Sequence, residues 1–174
     1  MRVGDPLEHA TEIGPLVSKS QWASVDSYVQ LGKAEGCTLV TGGGRPEGLE
    51  DGAYYAPTIL AGAKNSMRVA QEEIFGPVVV VIPFDTESEA VTLANDSPYG
   101  LNASVWTRNL GRGMRVARAL RTGMVSVNSH GSASRYGFFA PFGGYKKSGL
   151  GRELGMHALS LYTEVKNVFV DLED

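Results

Sequence analysis

Apolar residues recur along this chain at two spacings, and each spacing assigns an element. Ser18 and Gln21 have capping-box spacing, with Trp22, Val25 and Val29 on one helical face until Gly36 ends the pattern, so a helix is expected there. Residues 37–41 form a short β-branched run that stops at three glycines, and residues 54–60 form a second strand after the turn at Asp51-Gly52. Residues 78–82 are apolar at every position, which predicts a strand covered on both faces. Thr86 and Glu89 repeat the capping spacing ahead of Val91, Leu93 and Ala94, and a strand follows at residues 103–107. Asn109 caps a helix whose Leu110, Met114, Ala117 and Leu120 share a face, Gly123 stops it, and residues 124–127 are again strand-like. Leu150, Leu154, Ala158 and Leu161 mark one more helix, and a terminal strand is expected from about residue 163 to 172.

Strands alternating with helices at these intervals predict an α/β fold, an open and mostly parallel sheet flanked by helices with right-handed crossovers. The connection at residues 129–149, rich in Gly, Ser and Phe, is longer than an idle loop in a compact domain usually is, so function is sought there first. A chain of 174 residues fits one domain with a sizeable core. Its formal charge of −3 is spread without long like-charge blocks, which favours neither nucleic acid nor a membrane surface as partner. The opening residues hold no apolar run ahead of a cleavage site, so neither a secretory signal nor a transit peptide is expected. Cys37 is the single cysteine; it excludes an intrachain disulfide and suits a reducing compartment, with the cytoplasm as the expected location. The chain opens directly on the turn-like Val3-Gly4-Asp5-Pro6, as a start in mid-domain would.

The candidate chemistry is sparse. The glycines at 149, 151 and 155 space the third one residue too late for the dinucleotide fingerprint, and Gly42-Gly43-Gly44 leads into Arg45-Pro46, a turn. Cys37 has no His or Arg near in sequence to lower its pKa, so a buried structural thiol is expected. His9, His130 and His157 lie far apart without metal-ligand spacing, and no metal site is expected. His130 enters the long loop among Ser126, Ser129, Ser132 and Ser134, but no nucleophile elbow accompanies it. Glu72 and Glu73 precede Ile74-Phe75-Gly76-Pro77. An acidic pair ahead of a strand is ordinarily a solvated turn. It can equally present a carboxylate to a diol such as a ribose, with an aromatic ring two residues later to lie against a planar base.

Read together, these segments resemble the aldehyde dehydrogenase superfamily. Glu72-Glu73-Ile74-Phe75-Gly76-Pro77 is similar to its E-E-x-F-G-P signature and follows Tyr55-Ala56-Pro57-Thr58-Ile59-Leu60. The other matches stand in family order: Val3-Gly4-Asp5-Pro6, Gly14-Pro15-Leu16, Ala94-Asn95 with Tyr99-Gly100-Leu101, Val127-Asn128, Pro141-Phe142-Gly143-Gly144-Tyr145-Lys146, Ser148-Gly149, Gly151-Arg152-Glu153 and Tyr162-Thr163-Glu164. The resemblance covers essentially the whole chain.

The resemblance implies a cysteine thiolate that attacks an aldehyde, hydride transfer to NAD or NADP, and a glutamate-activated water that hydrolyses the thioester. It places that cysteine, that glutamate and most of the coenzyme-binding domain upstream of Val3, so no catalytic residue is assigned here and the isolated chain is expected to be inactive. It assigns Glu73 to the nicotinamide ribose, Phe75 to the nicotinamide, and Phe142 to the aldehyde entrance, with residues 129–140 forming part of that tunnel. Residues 1–162 are then a partial catalytic domain and residues 163–174 an oligomerisation strand that makes a homo-oligomer natural. The alternative is a non-catalytic binding or regulatory subunit that associates with itself or with full-length relatives.

Overall fold

The computed structural model describes residues 1–130 and 139–172. Their contacts divide into two compact units, Met1–Asp85 and Thr86–Asp174.

In the first unit, helix α1 (Lys19–Ala34) starts where Ser18 accepts a hydrogen bond from the Gln21 amide at 3.1 Å. Val25 and Val29 on its inner face are fully buried, as the periodicity requires. Strands β1 (Thr38–Thr41), β2 (Thr58–Ala61) and β3 (Val78–Val81) form one sheet in that order. The β1–β2 pair is antiparallel, with a register shift between Leu39 and Thr41, and the β2–β3 pair is parallel. The crossover from β2 to β3 carries the short helix α2 (Arg68–Gln71). Its Val69 joins Val25, Val29, Tyr55, Leu60 and Ile74 in the core. Thr58 is buried without an orphaned hydroxyl, since Oγ1 donates to the Ala56 carbonyl and accepts from the Gly43 amide, both at 2.8 Å.

The sheet departs from the expected strand in one respect. Val78 and Val80 pack against the core, but Val79 and Val81 are 58% and 44% exposed. Within its own unit β3 is an edge strand covered on a single face, so its uniformly apolar sequence is only half used.

In the second unit, Thr86 caps helix α3 (Glu87–Asn95) by accepting from the Glu89 amide at 3.1 Å. Strands β4 (Tyr99–Gly100) and β5 (Asn102–Val105), helix α4 (Leu110–Ala119), and strands β6 (Met124–Val127) and β7 (Tyr145–Lys146) follow. The β5–β6 pair is parallel with α4 as its crossover, and the β4–β7 pair is antiparallel. Asn109 caps α4 through the Arg112 amide at 2.9 Å. Glu87 joins the two helices by a forked pair to Arg115, both contacts at 2.8 Å.

Two expectations fail here for physical reasons. Leu110 and Met114 of α4 are 72% and 44% exposed, because a two-stranded pair offers little surface and α4 meets it at buried Gly113, beside Val127 and Thr107. Residues 150–161 are not a continuous helix. Gly149, Gly151, Leu154 and Gly155 all have positive φ, and only the 3-10 segment Met156–Leu161 remains helical. Residues 163–172 form no ladder with the described residues of this chain, and the pairing expected of them is with a second subunit. The α/β class holds; among the described residues the strands form a mixed three-stranded sheet in the first unit and one parallel and one antiparallel pair in the second, instead of one mostly parallel sheet.

Leu60→Ala is expected to destabilise the first unit by about 2–5 kcal/mol, read as a lowered denaturant midpoint. Leu110→Ala removes a side chain that is already 72% exposed and should change stability by no more than about 0.5 kcal/mol.

Candidate functional site

The connection from α2 to β3 alternates engaged and free side chains. Glu72 is partly exposed but paired: its carboxylate takes a two-point pair from Arg68 at 2.7 and 3.0 Å and a hydrogen bond from the Tyr28 hydroxyl at 2.8 Å. Ile74 is buried in the core. Glu73 and Phe75 are both exposed, and Glu73 has no partner among the described residues. Phe75 has φ of +55°, a left-handed backbone that is rare for an aromatic residue, and its ring is 70% exposed.

Two contacts from α1 set this shape. The Gln21 side-chain amide donates to the Phe75 carbonyl at 2.9 Å and to the Ile74 carbonyl at 3.3 Å. Gly76 lies directly on Val25, where a Cβ would come within 2.5 Å of the valine Cγ2, so the position admits only glycine without rearrangement. A free carboxylate two residues from an outward aromatic ring suits a diol-bearing ligand with a planar ring: the carboxylate accepts from hydroxyls and the ring offers an apolar face.

Phe142 lies in the second unit and is half-buried. Its backbone pairs with Glu153 through two hydrogen bonds of 2.7 Å, which fixes the chain between Pro141 and Tyr145. Arg152 donates to the Gly144 carbonyl at 3.1 Å and stacks over the Tyr145 ring at 5.2 Å. Gly123 packs against the Gly143 carbonyl, where any side chain would overlap it. Asn128, at the start of the long loop, extends the β5–β6 ladder with its side chain, accepting from the Thr107 amide at 2.8 Å and donating to the Thr107 carbonyl at 2.9 Å. Of the expected tunnel loop, residues 131–138 lie outside the described residues.

Cys37 is buried, with its Sγ 3.7 Å from the Met67 sulfur. Burial first, and then the Glu35 carboxylate, push its thiol above the ordinary value, away from thiolate character. A cleft of about 730 Å³ at Arg2–Glu8, Thr41–Gly42 and Pro46–Leu49 includes none of the assigned site residues. Gln21 is the residue that sequence reasoning placed differently: it reads as the second half of a capping box, whereas its side chain reaches across to the loop. Only the fold reveals that contact, because the partners are 53 and 54 positions apart.

The chain matches the Aldehyde dehydrogenase family over residues 1–168. It is 49% identical over 174 residues to the provisionally named aldehyde dehydrogenase DhaS of Bacillus subtilis, covering 100% of this chain and 34% of that protein. It is 44% identical to the betaine aldehyde dehydrogenase of Brucella melitensis, covering 99% of this chain and 35% of that protein. A solved structure of a variant of the P. syringae indole-3-acetaldehyde dehydrogenase AldA, in complex with NAD+ and IAA, superposes with a TM-score of 0.92 at 47% identity, covering 98% of this chain and 34% of that chain. The chain thus spans about a third of the length of the relatives it matches.

The Glu72 pair makes stability depend on pH. Hydrogen bonding to Arg68, then to Tyr28, holds the carboxyl below its ordinary value. Its contribution is therefore complete above the unfolded-state value of about 4.3 and is lost as pH falls through the lower folded value. The denaturation midpoint of the wild type should drop more between pH 6 and 3 than that of Glu72→Gln, with ranges set by the ordinary carboxylate value of about 4.3. Parallel curves would remove Glu72 from the account.

Proposed function

Since the chain belongs to the aldehyde dehydrogenase family, we propose that it forms the C-terminal part of an NAD(P)-dependent enzyme that oxidises a small-molecule aldehyde to a carboxylic acid. The observation that carries this reading is the exposed Glu73, without a partner among the described residues, two positions from the outward Phe75, on a loop that Gln21 of α1 hydrogen-bonds. Glu73 accepts hydrogen bonds from the nicotinamide ribose hydroxyls, and Phe75 lies against the nicotinamide ring. Bound NAD or NADP supplies the hydride acceptor. Phe142 lines the approach of the aldehyde. Its backbone pairing with Glu153 gives that wall a fixed position.

The nucleophile lies outside these residues. Cys37 is the only cysteine of the 174, and it is buried with its thiol pushed up, which is the reverse of an activated thiolate. By its resemblance to the family, of whose members it spans about a third, we assign the attacking cysteine, the base glutamate and most of the coenzyme domain to segments upstream of these residues. A free structural thiol suits the cytoplasm.

Residues 163–172 act as an oligomerisation strand. Val168, Val170 and Leu172 are 71%, 65% and 87% exposed, and at the period of two of an extended chain they share one apolar face that packing against a second subunit would cover. The same segment supports the second reading, in which the chain associates with full-length relatives without performing chemistry.

The isolated chain is expected to give no aldehyde-dependent reduction of NAD or NADP. Turnover that disappears in Cys37→Ser would contradict the reading. In the whole dehydrogenase, Glu73→Gln should weaken coenzyme binding by about tenfold, the loss of a hydrogen bond to a charged group of roughly 1.5 kcal/mol. Unchanged affinity in a titration would remove Glu73 from the coenzyme site.

A further inference from the structure

We propose that Gln21 is the positioning residue of the Glu73 to Phe75 loop, a role that rests on the coenzyme reading above. The two carbonyls it holds belong to the two peptide planes that meet at the Phe75 Cα: Ile74 on one side and Phe75 on the other. The relative rotation of those planes is the φ and ψ of Phe75. One side-chain nitrogen thus clamps the pair of angles that place Phe75 in the left-handed region, at φ +55°.

A left-handed phenylalanine persists only where its surroundings over-determine it. The contact of Gly76 with Val25 seats the following residue, and Pro77 restricts the backbone of the residue ahead of it. Neither acts on both peptide planes of Phe75. Gln21 does, and it does so from a firm base: its own amide is held by Ser18 at 3.1 Å in the first turn of α1, whose Val25 and Val29 are fully buried. Its reach to the loop is therefore set by the helix and not by the loop. Without the clamp Phe75 relaxes toward ordinary backbone, and the ring and the neighbouring Glu73 carboxylate lose the arrangement that meets the coenzyme.

The test uses Gln21→Met, which keeps the length and removes the donor, with Gln21→Glu as a second variant should the first fold poorly. Amide hydrogen exchange on the coenzyme-free chain is read at residues 72–78, and NAD+ and NADP+ titrations are made on the whole dehydrogenase. Loss of both bonds from this donor, counted at the net worth of one good hydrogen bond because the contact to Ile74 is long at 3.3 Å, predicts exchange faster by about three- to tenfold in that loop, with α1 unchanged. Coenzyme Kd should rise by a similar factor, with kcat altered less. Phe75→Gly supplies the control, because glycine takes positive φ freely, and in that background Gln21→Met should no longer alter loop exchange. Unchanged loop exchange in both Gln21 variants, or an equal effect of Gln21→Met in the Phe75→Gly background, overturns the proposal. Faster exchange without any change in coenzyme affinity supports the clamp and overturns the coenzyme reading instead.

Discussion

The contact of Gly76 with Val25 is the constraint on which the site depends. Val25 is fully buried on α1, so it cannot withdraw, and a Cβ on residue 76 would come within 2.5 Å of it. The backbone after Phe75 therefore runs against the helix, within range of Gln21. With that approach fixed, Gln21 holds the Ile74 and Phe75 carbonyls and the side chains of the loop separate. Ile74 enters the core, Glu72 meets Arg68 and Tyr28, and Glu73 and Phe75 are left facing outward. The close approach of Gly76 to Val25 thus accompanies a division of four neighbouring side chains into two with partners inside the unit and two exposed.

The starts of α1, α3 and α4 were legible because capping is local, whereas α2 starts after Met67 without a side-chain cap. Ser18, Thr86 and Asn109 each accept from the amide three residues on, and each was readable from residue type and spacing alone. The β-branched runs likewise marked β1, β3 and β6 to within a residue. What was not legible depends on how much surface a neighbour offers. The apolar stripe of α4 predicts a buried face, yet a two-stranded pair covers only the Gly113 side. The leucines of residues 150–161 keep helical spacing, but the positive φ at Gly149, Gly151, Leu154 and Gly155 breaks the run before Met156. A strand at 163–172 requires a ladder partner, which no sequence pattern supplies.

At the candidate site the motif was legible and the division of labour within it was not. Glu72 and Glu73 are chemically identical in the sequence, and either reads as a solvated turn or as a ligand carboxylate. Their difference comes from Arg68 and from Tyr28, the latter 44 residues away, both of which claim Glu72. The same holds for Gln21, whose capping spacing is genuine at the backbone while its side chain serves a loop more than fifty residues downstream. The backbone position of Phe142 follows from the pairing with Glu153, which the spacing alone does not disclose.

The central claim is that this chain contributes the coenzyme-facing carboxylate and ring to an aldehyde dehydrogenase whose nucleophile lies elsewhere in the protein. A crystal structure of the whole enzyme with its dinucleotide tests it most directly. The expected result is a Glu73 carboxylate oxygen about 2.5–2.7 Å from a ribose hydroxyl, the range of a charge-assisted O–H···O bond, with the Phe75 ring against the nicotinamide. A ribose held by other groups, with Glu73 left in solvent, would contradict the claim.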